Sequence, residues 1–173
     1  MKDSKQELFM ELYAPIHESF ERFCRARVYG EMDYGDLMNE TLLIAFKKFE
    51  DLRNKQAFLA YLFTIAVRVL SSSNRKKKTE RFHTGTETTV IDPNARTDRD
   101  MEVEILHKAL AQLPDAQRES LILFEINGFS IKEIAAIHEV RESSVKQRLR
   151  RGRIKLKELL MDRVEQETSV SNG

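Results

Sequence analysis

One stretch limits the possible folds of this chain more than any other. SIKEIAAIHEVRESSVKQRLRRGRIKLKELL, residues 130–160, opens with apolar Ile131, Ile134, Ala135 and Ile137. Steps of three or four residues put such positions on one side of a helix. Ser130 stands three residues before Glu133, the pattern of a capping box. Only HEVR separates this helix from a second one, a spacing that matches a helix-turn-helix. Ala135 is small where the two helices must cross. Val140 is apolar in the turn, and Val145 and Leu149 face back toward the first helix. The opposite face of the second helix carries Lys146, Gln147, Arg150, Arg151 and Arg153. Glu139 sits awkwardly at a turn position that commonly holds glycine with positive φ. A side chain there costs about 1–2 kcal/mol, unless the turn takes another geometry.

Long basic donors on one face and apolar residues on the other are what major-groove binding requires. A recognition helix lies in a groove about 12 Å wide, where Arg and Lys reach phosphates or guanine and Gln pairs with adenine. A merely solvated basic face is the bland alternative. The capped first helix and the short turn favour DNA.

The concentration of charge is the more telling because the chain is nearly neutral, with 29 Lys and Arg against 28 Asp and Glu. Arg75, Lys76, Lys77 and Lys78 form a second basic run, while Glu31, Asp33, Asp36 and Glu40 form an acidic one. Segregation of this kind implies one anionic partner and one that is not. Only 6 Gly and 3 Pro occur, which favours helices over a turn-rich β fold. The single cysteine, Cys24, excludes an intramolecular disulfide framework and reads as a buried apolar residue of a reducing, cytoplasmic compartment. The N-terminus lacks a signal-peptide core. The longest apolar-rich stretch, AFLAYLFTIAVRVL, has about 14 residues where a membrane span needs about 20, so no membrane insertion is expected.

The periodicity predicts an all-α chain of two small helical domains joined by a flexible linker. Four helices fall within 1–78: a short one around Leu8–Leu12 ended by Pro15; a stripe of Ile16, Phe20, Phe23, Cys24 and Arg27; one from Tyr34 to about Glu50; and one from about Gln56 to Lys77. Residues 79–100 are polar and threonine-rich and read as the linker, since about 20 structureless residues are unusual inside one compact domain. Residues 101–163 form the second domain, with Asp115 a candidate N-cap after Pro114. Residues 164–173 read as a frayed tail.

Three segments in this order resemble sigma factors of bacterial RNA polymerase, specifically the extracytoplasmic-function group that keeps conserved regions 2 and 4. They are DYGDLMNETLLIAFKKF, FLAYLFTIAVRVLSSSNRKKK and LPDAQRESLILFEINGFSIKEIAAIHEVRESSVKQRLRRGRIKL. The resemblance covers roughly residues 8–78 and 101–160. It implies that Asp36, Leu37, Asn39 and Glu40 dock on the clamp-helix coiled coil of core RNA polymerase. Asp36 and Glu40 are one turn apart, on one helix face. Two carboxylates without a third ligand are weak evidence for a metal, and none is expected.

The resemblance further implies that the loop DLRNKQAF captures a flipped minus-ten base. Arg53, Asn54, Lys55 and Gln56 would supply donors, and Phe58 and Tyr61 stacking surface worth about 1–3 kcal/mol per base. Core packing is the competing reading for both aromatics. Tyr61 stands where the family usually has Trp, and Arg68 where it usually has Asn. Arg75, Lys76, Lys77 and Lys78 would neutralise promoter phosphates. In the second domain, Ser143, Ser144, Lys146, Gln147, Arg150, Arg151 and Arg153 would face minus-thirty-five DNA. The family also implies promoter DNA and an anti-sigma factor as partners. A stand-alone helix-turn-helix regulator accounts equally for the second domain but leaves the loop and the basic run at 75–78 unexplained. An enzyme is not expected: His17, His83, His107 and His138 are scattered, and no catalytic triad order, P-loop or Cys pair occurs. No cofactor is expected either.

Overall fold

The computed structural model describes residues 2–80 and 97–171, with side chains over 4–73 and 97–171. Among the described residues eight α-helices run in order: α1 (Lys2–Tyr13), α2 (His17–Val28), α3 (Tyr34–Lys47), α4 (Phe58–Glu80), α5 (Asp98–Leu110), α6 (Asp115–Leu121), α7 (Ile131–His138) and α8 (Glu142–Ser171). No strand occurs among the described residues.

Pro15 lies in a single 3-10 turn, Ala14–Ile16, that joins α1 to α2. It lacks an N–H and fixes its own φ, so it interrupts α-helical bonding without forcing a loop. The third helix is shorter than its periodicity predicts. It is capped by Asp33, whose carboxylate accepts from Gly35 N at 2.6 Å, and it ends at Lys47. Phe49 then folds inward on a 3-10 turn. The core of this first unit is aromatic. Phe9 meets the rings of Phe46, Phe49 and Phe58 edge-on at 5.4 Å each, and Phe63 meets Phe20 and Phe23. Cys24 is fully buried beside them. Residues 55–73 are long and apolar enough by composition to cross a membrane. In the fold residues 58–73 of this stretch belong to α4, whose Leu62, Phe63 and Ala66 are sealed in the core.

The second unit differs from expectation at both ends. Thr97 caps α5 through a full capping box with Asp100, so three residues assigned to the linker are already helical. Residues 81–96 of that linker lie outside the described residues. Pro114, not Asp115, holds the N-cap position of α6. Asp115 is the first helical residue, where its charge favours the positive helix end. The helix after Leu121 widens into a π turn, Ile122–Ile126, and Gly128 at φ 75° closes it. Residues 164–171, expected to fray, continue α8. Val164 and Val170 stay exposed, so this extension rests on helical bonding and not on a core. Gly152 lets α8 cross α6: a Cβ there would lie 2.9 Å from Leu121 Cδ1.

The two units dock. Phe129 of the second unit packs on Phe63 of the first, with ring centroids 4.9 Å apart. Asn127 Nδ2 donates to the Ser19 carbonyl at 2.8 Å, and Tyr29 donates to Glu104 at 3.0 Å.

Candidate nucleic-acid and polymerase interface

The capping box expected at Ser130 and Glu133 is present in both directions, at 3.1 Å each way. It starts α7, whose Ile134, Ala135 and Ile137 are buried. The turn takes the strained geometry. Glu139 sits at φ 55°, ψ 44°, and its N–H and that of Val140 close the helix on the carbonyls of Ala135 and Ala136. Its carboxylate accepts from Arg68 of α4 at 2.8 Å, but both side chains are largely exposed, and such pairs contribute about 0–1 kcal/mol. Glu139→Gly is therefore expected to be neutral to stabilising, by up to about 1 kcal/mol, because left-handed strain is relieved. Urea unfolding would register it; a loss above 1 kcal/mol would mean that the Arg68 pair matters more than the strain.

Beyond the turn, Val145 and Leu149 are buried against the preceding helices. Ser143, Lys146, Gln147 and Arg150 therefore point outward at i, i+3, i+4 and i+7, with Arg151 beside them. Ser144, Lys146, Gln147 and Arg150 line one shallow groove with Ser143. Arg153 is also outward but is engaged, donating to Glu125 at 2.8 Å with its guanidinium over the Phe124 ring.

In the first unit, Asp36, Asn39 and Glu40 lie on the exposed side of α3. Leu37 does not: it is 0% exposed and packs in the core, so it cannot touch a partner. The exposed apolar residue of that face is Leu43, seven residues on from Asp36 and 56% exposed. Sequence periodicity missed it because the leucines at 37 and 43 look alike until the core side is known.

The loop between α3 and α4 presents Arg53, Lys55 and Gln56 to solvent. Asn54 Oδ1 is occupied, accepting from Gln56 N at 3.0 Å and capping the 3-10 turn Lys55–Ala57. Phe58 is a correction. It is 3% exposed among Phe9, Phe49 and Tyr61, which makes it core and not a stacking surface. Tyr61 is half-buried, its hydroxyl donating to the Ala45 carbonyl at 2.9 Å. Arg75, Lys76, Lys77 and Lys78 lie on the last turns of α4, and their side chains fall outside those described. No group of His, Cys, Asp and Glu able to hold a metal occurs among the described residues.

Residues 6–80 match the family model of sigma-70 region 2, and residues 103–156 that of sigma-70 region 4. The ECF RNA polymerase sigma factor EcfG of Rhodopseudomonas palustris is 34% identical over 126 residues, 72% of this chain and 70% of that protein. The chain belongs to the ECF group of sigma-70 factors. It directs RNA polymerase to promoters and initiates transcription there. Sigma factor CarQ of Myxococcus xanthus is 26% identical over 92% of both chains. The co-crystal structure of the Bartonella quintana sigma factor RpoE with the anti-sigma factor NepR is similar to this fold, with a TM-score of 0.73 and 30% identity. It covers 93% of this chain and 98% of that one. Sigma factors of this kind are DNA-binding regulators rather than enzymes.

The surprise in this sigma factor is the seam between its two units. Arg27 of α2 is 0% exposed. Its Nε donates to Glu119 of α6 at 2.8 Å, its Nη1 to Glu31 at 3.3 Å, and its Nη2 lies 3.5 Å from Asp115. Arg118, also 0% exposed, donates to Glu31 at 2.9 Å and to the carbonyls of Ala26 and Tyr29 at 2.8 and 3.3 Å. A cation at the carbonyl end of α2 satisfies acceptors that the ended helix leaves open. His138 Nε2 lies 2.9 Å from the second Glu119 oxygen. Burial opposes ionisation of Glu119, but His138 and the Arg27 guanidinium outweigh it and hold its carboxyl below the usual range. Burial and the neighbouring Arg27 bring Arg118 down to about 10, which still leaves it charged at neutral pH. A sequence signal for this cluster existed. Arg27 occupies an apolar-stripe position of α2, and Arg118-Glu119 interrupts the apolar side of α6.

Proposed function

We propose that this sigma factor docks on core RNA polymerase through Asp36, Asn39, Glu40 and Leu43, and reads minus-thirty-five DNA with Ser143, Ser144, Lys146, Gln147, Arg150 and Arg151. Arg153 flanks that surface. Arg53, Lys55, Gln56, Tyr61 and Arg68 form the minus-ten reader, and Arg75, Lys76, Lys77 and Lys78 supply phosphate neutralisation. It carries out no bond chemistry of its own, acts in the cytoplasm, and is held in check by an anti-sigma factor, as the Bartonella relative is bound by NepR. The carrying observation is the one-sidedness of α8: Val145 and Leu149 are buried, while Ser143, Lys146, Gln147 and Arg150 project from the opposite face. A merely solvated basic face would show the same division, and the capped α7 with the short turn before α8 is what favours DNA.

Run-off transcription with purified core polymerase tests the reading: the sigma factor should confer start-site selection that core alone lacks. Asp36→Lys with Glu40→Lys should weaken co-elution with core polymerase at least tenfold, because attraction to a basic coiled coil becomes repulsion. Helical content should not change, since both side chains are exposed. Undiminished co-elution would move the docking face elsewhere.

A further inference from the structure

We infer that the C-terminal half of α8 is a self-association face, on which a second copy of this chain lays the same helix antiparallel. The inference needs neither the promoter assignment nor the polymerase assignment.

The last buried residue of α8 is Gly152, and Leu156 and Leu159 reach the core only in part. Residues 160–171 then continue for about 18 Å at 1.5 Å per residue. So short a stretch of helix is marginal in water without a neighbour. Its surface is not polar all round. Leu156, Leu160, Met161 and Val164 make one shallow apolar face between Lys157 and Glu165, and every residue lining it belongs to α8. Met161 is 55% and Val164 62% exposed.

The charge pattern identifies the occupant. Residues 146–157 carry seven Lys or Arg and no Asp or Glu. Residues 158–167 reverse the sign, with Glu158, Asp162, Glu165 and Glu167 against Arg163. These acids approach the negative end of the helix, where its own dipole disfavours them. An antiparallel copy of α8 answers both halves: it brings bases to the acids, acids to the bases and an opposed dipole. A parallel copy would set base on base. A uniformly basic or uniformly acidic partner would suit one half and repel the other.

Spacing gives the register. Lys157, Leu160, Val164 and Glu167 follow one another by three, four and three residues, the a/d step of a coiled coil. With Leu160 opposite Val164 of the second copy, Lys157 lies opposite Glu167 of that copy. The two-fold axis repeats both contacts, so two apolar layers are closed at each end by an ion pair. Within one copy Glu167 accepts from exposed Arg163 at 3.1 Å, a surface contact that is readily exchanged.

Sedimentation equilibrium of the full chain tests the face. So small an interface falls in the weak class, and the mass should rise from the 20.2 kDa of one copy toward twice that value, with a Kd of about 10–100 µM. Val164→Glu should weaken association at least about tenfold, because it buries a carboxylate in an apolar layer. Circular dichroism should show unchanged helicity, since Val164 is exposed. Lys157→Glu and Glu167→Lys should each weaken it about tenfold, and the two together in one chain should restore it. That rescue separates pairing from misfolding, which a second charge reversal would not repair. A chain that stays monomeric to about 300 µM overturns the inference. So does association that Val164→Glu leaves intact, which would place the contact on another face. Two weakened single variants without rescue in the double variant overturn the antiparallel pairing.

Discussion

Phe58→Ala is expected to lower the unfolding free energy by about 3–5 kcal/mol, the range for truncating a buried phenylalanine. The ring is enclosed by Phe9, Phe49 and Tyr61, so its removal opens a cavity in the aromatic core of the first unit. Phe58→Leu should recover most of that loss, because it restores apolar volume without restoring a π face. Guanidinium unfolding separates the two substitutions. Promoter melting by holoenzyme should follow stability and be near normal for Phe58→Leu. A leucine variant that is stable but cannot melt promoters would return Phe58 to the base-stacking role its position in the loop suggests.

Arg150→Ala with Arg151→Ala should have the largest effect on DNA. If each arginine neutralises one phosphate, the salt dependence of holoenzyme binding falls by about 0.9 per contact, or about 1.8 for the pair. At about 0.15 M salt this corresponds to roughly 30-fold weaker binding. Titration of a transcribed promoter at several salt concentrations measures the slope directly. An unchanged slope would mean that neither guanidinium meets the backbone. A changed affinity at constant slope would assign them to base edges instead.

The same two residues illustrate what local pattern can and cannot carry. Periodicity places Val145 and Leu149 inward and Lys146, Gln147, Arg150 and Arg151 outward without knowledge of any other helix, because 3.6 residues per turn fixes the face. The capping box at Ser130 is equally local, since both bonds lie within four residues. Phe58 and Leu37 went the other way. Both stand in segments that resemble interaction motifs, yet each faces the core once α1, α3 and α4 are assembled. Leu43, on the same helix as Leu37, is the one left outside.

The sequence by itself determined the helical class, the positions of the breaks near Pro15, Gly30, Pro114 and Gly128, and the exposed basic side of α8. Each depends on backbone preference or on helical period, which act within a few residues. Only the tertiary structure decided that the two units meet. Arg27 and Glu119 are 92 residues apart in the chain and 2.8 Å apart in space. A lone arginine on an apolar stripe signals that something unusual faces it, but not what. Its partner is chosen by how whole helices pack, and at this seam two buried charges must find each other or stay in water.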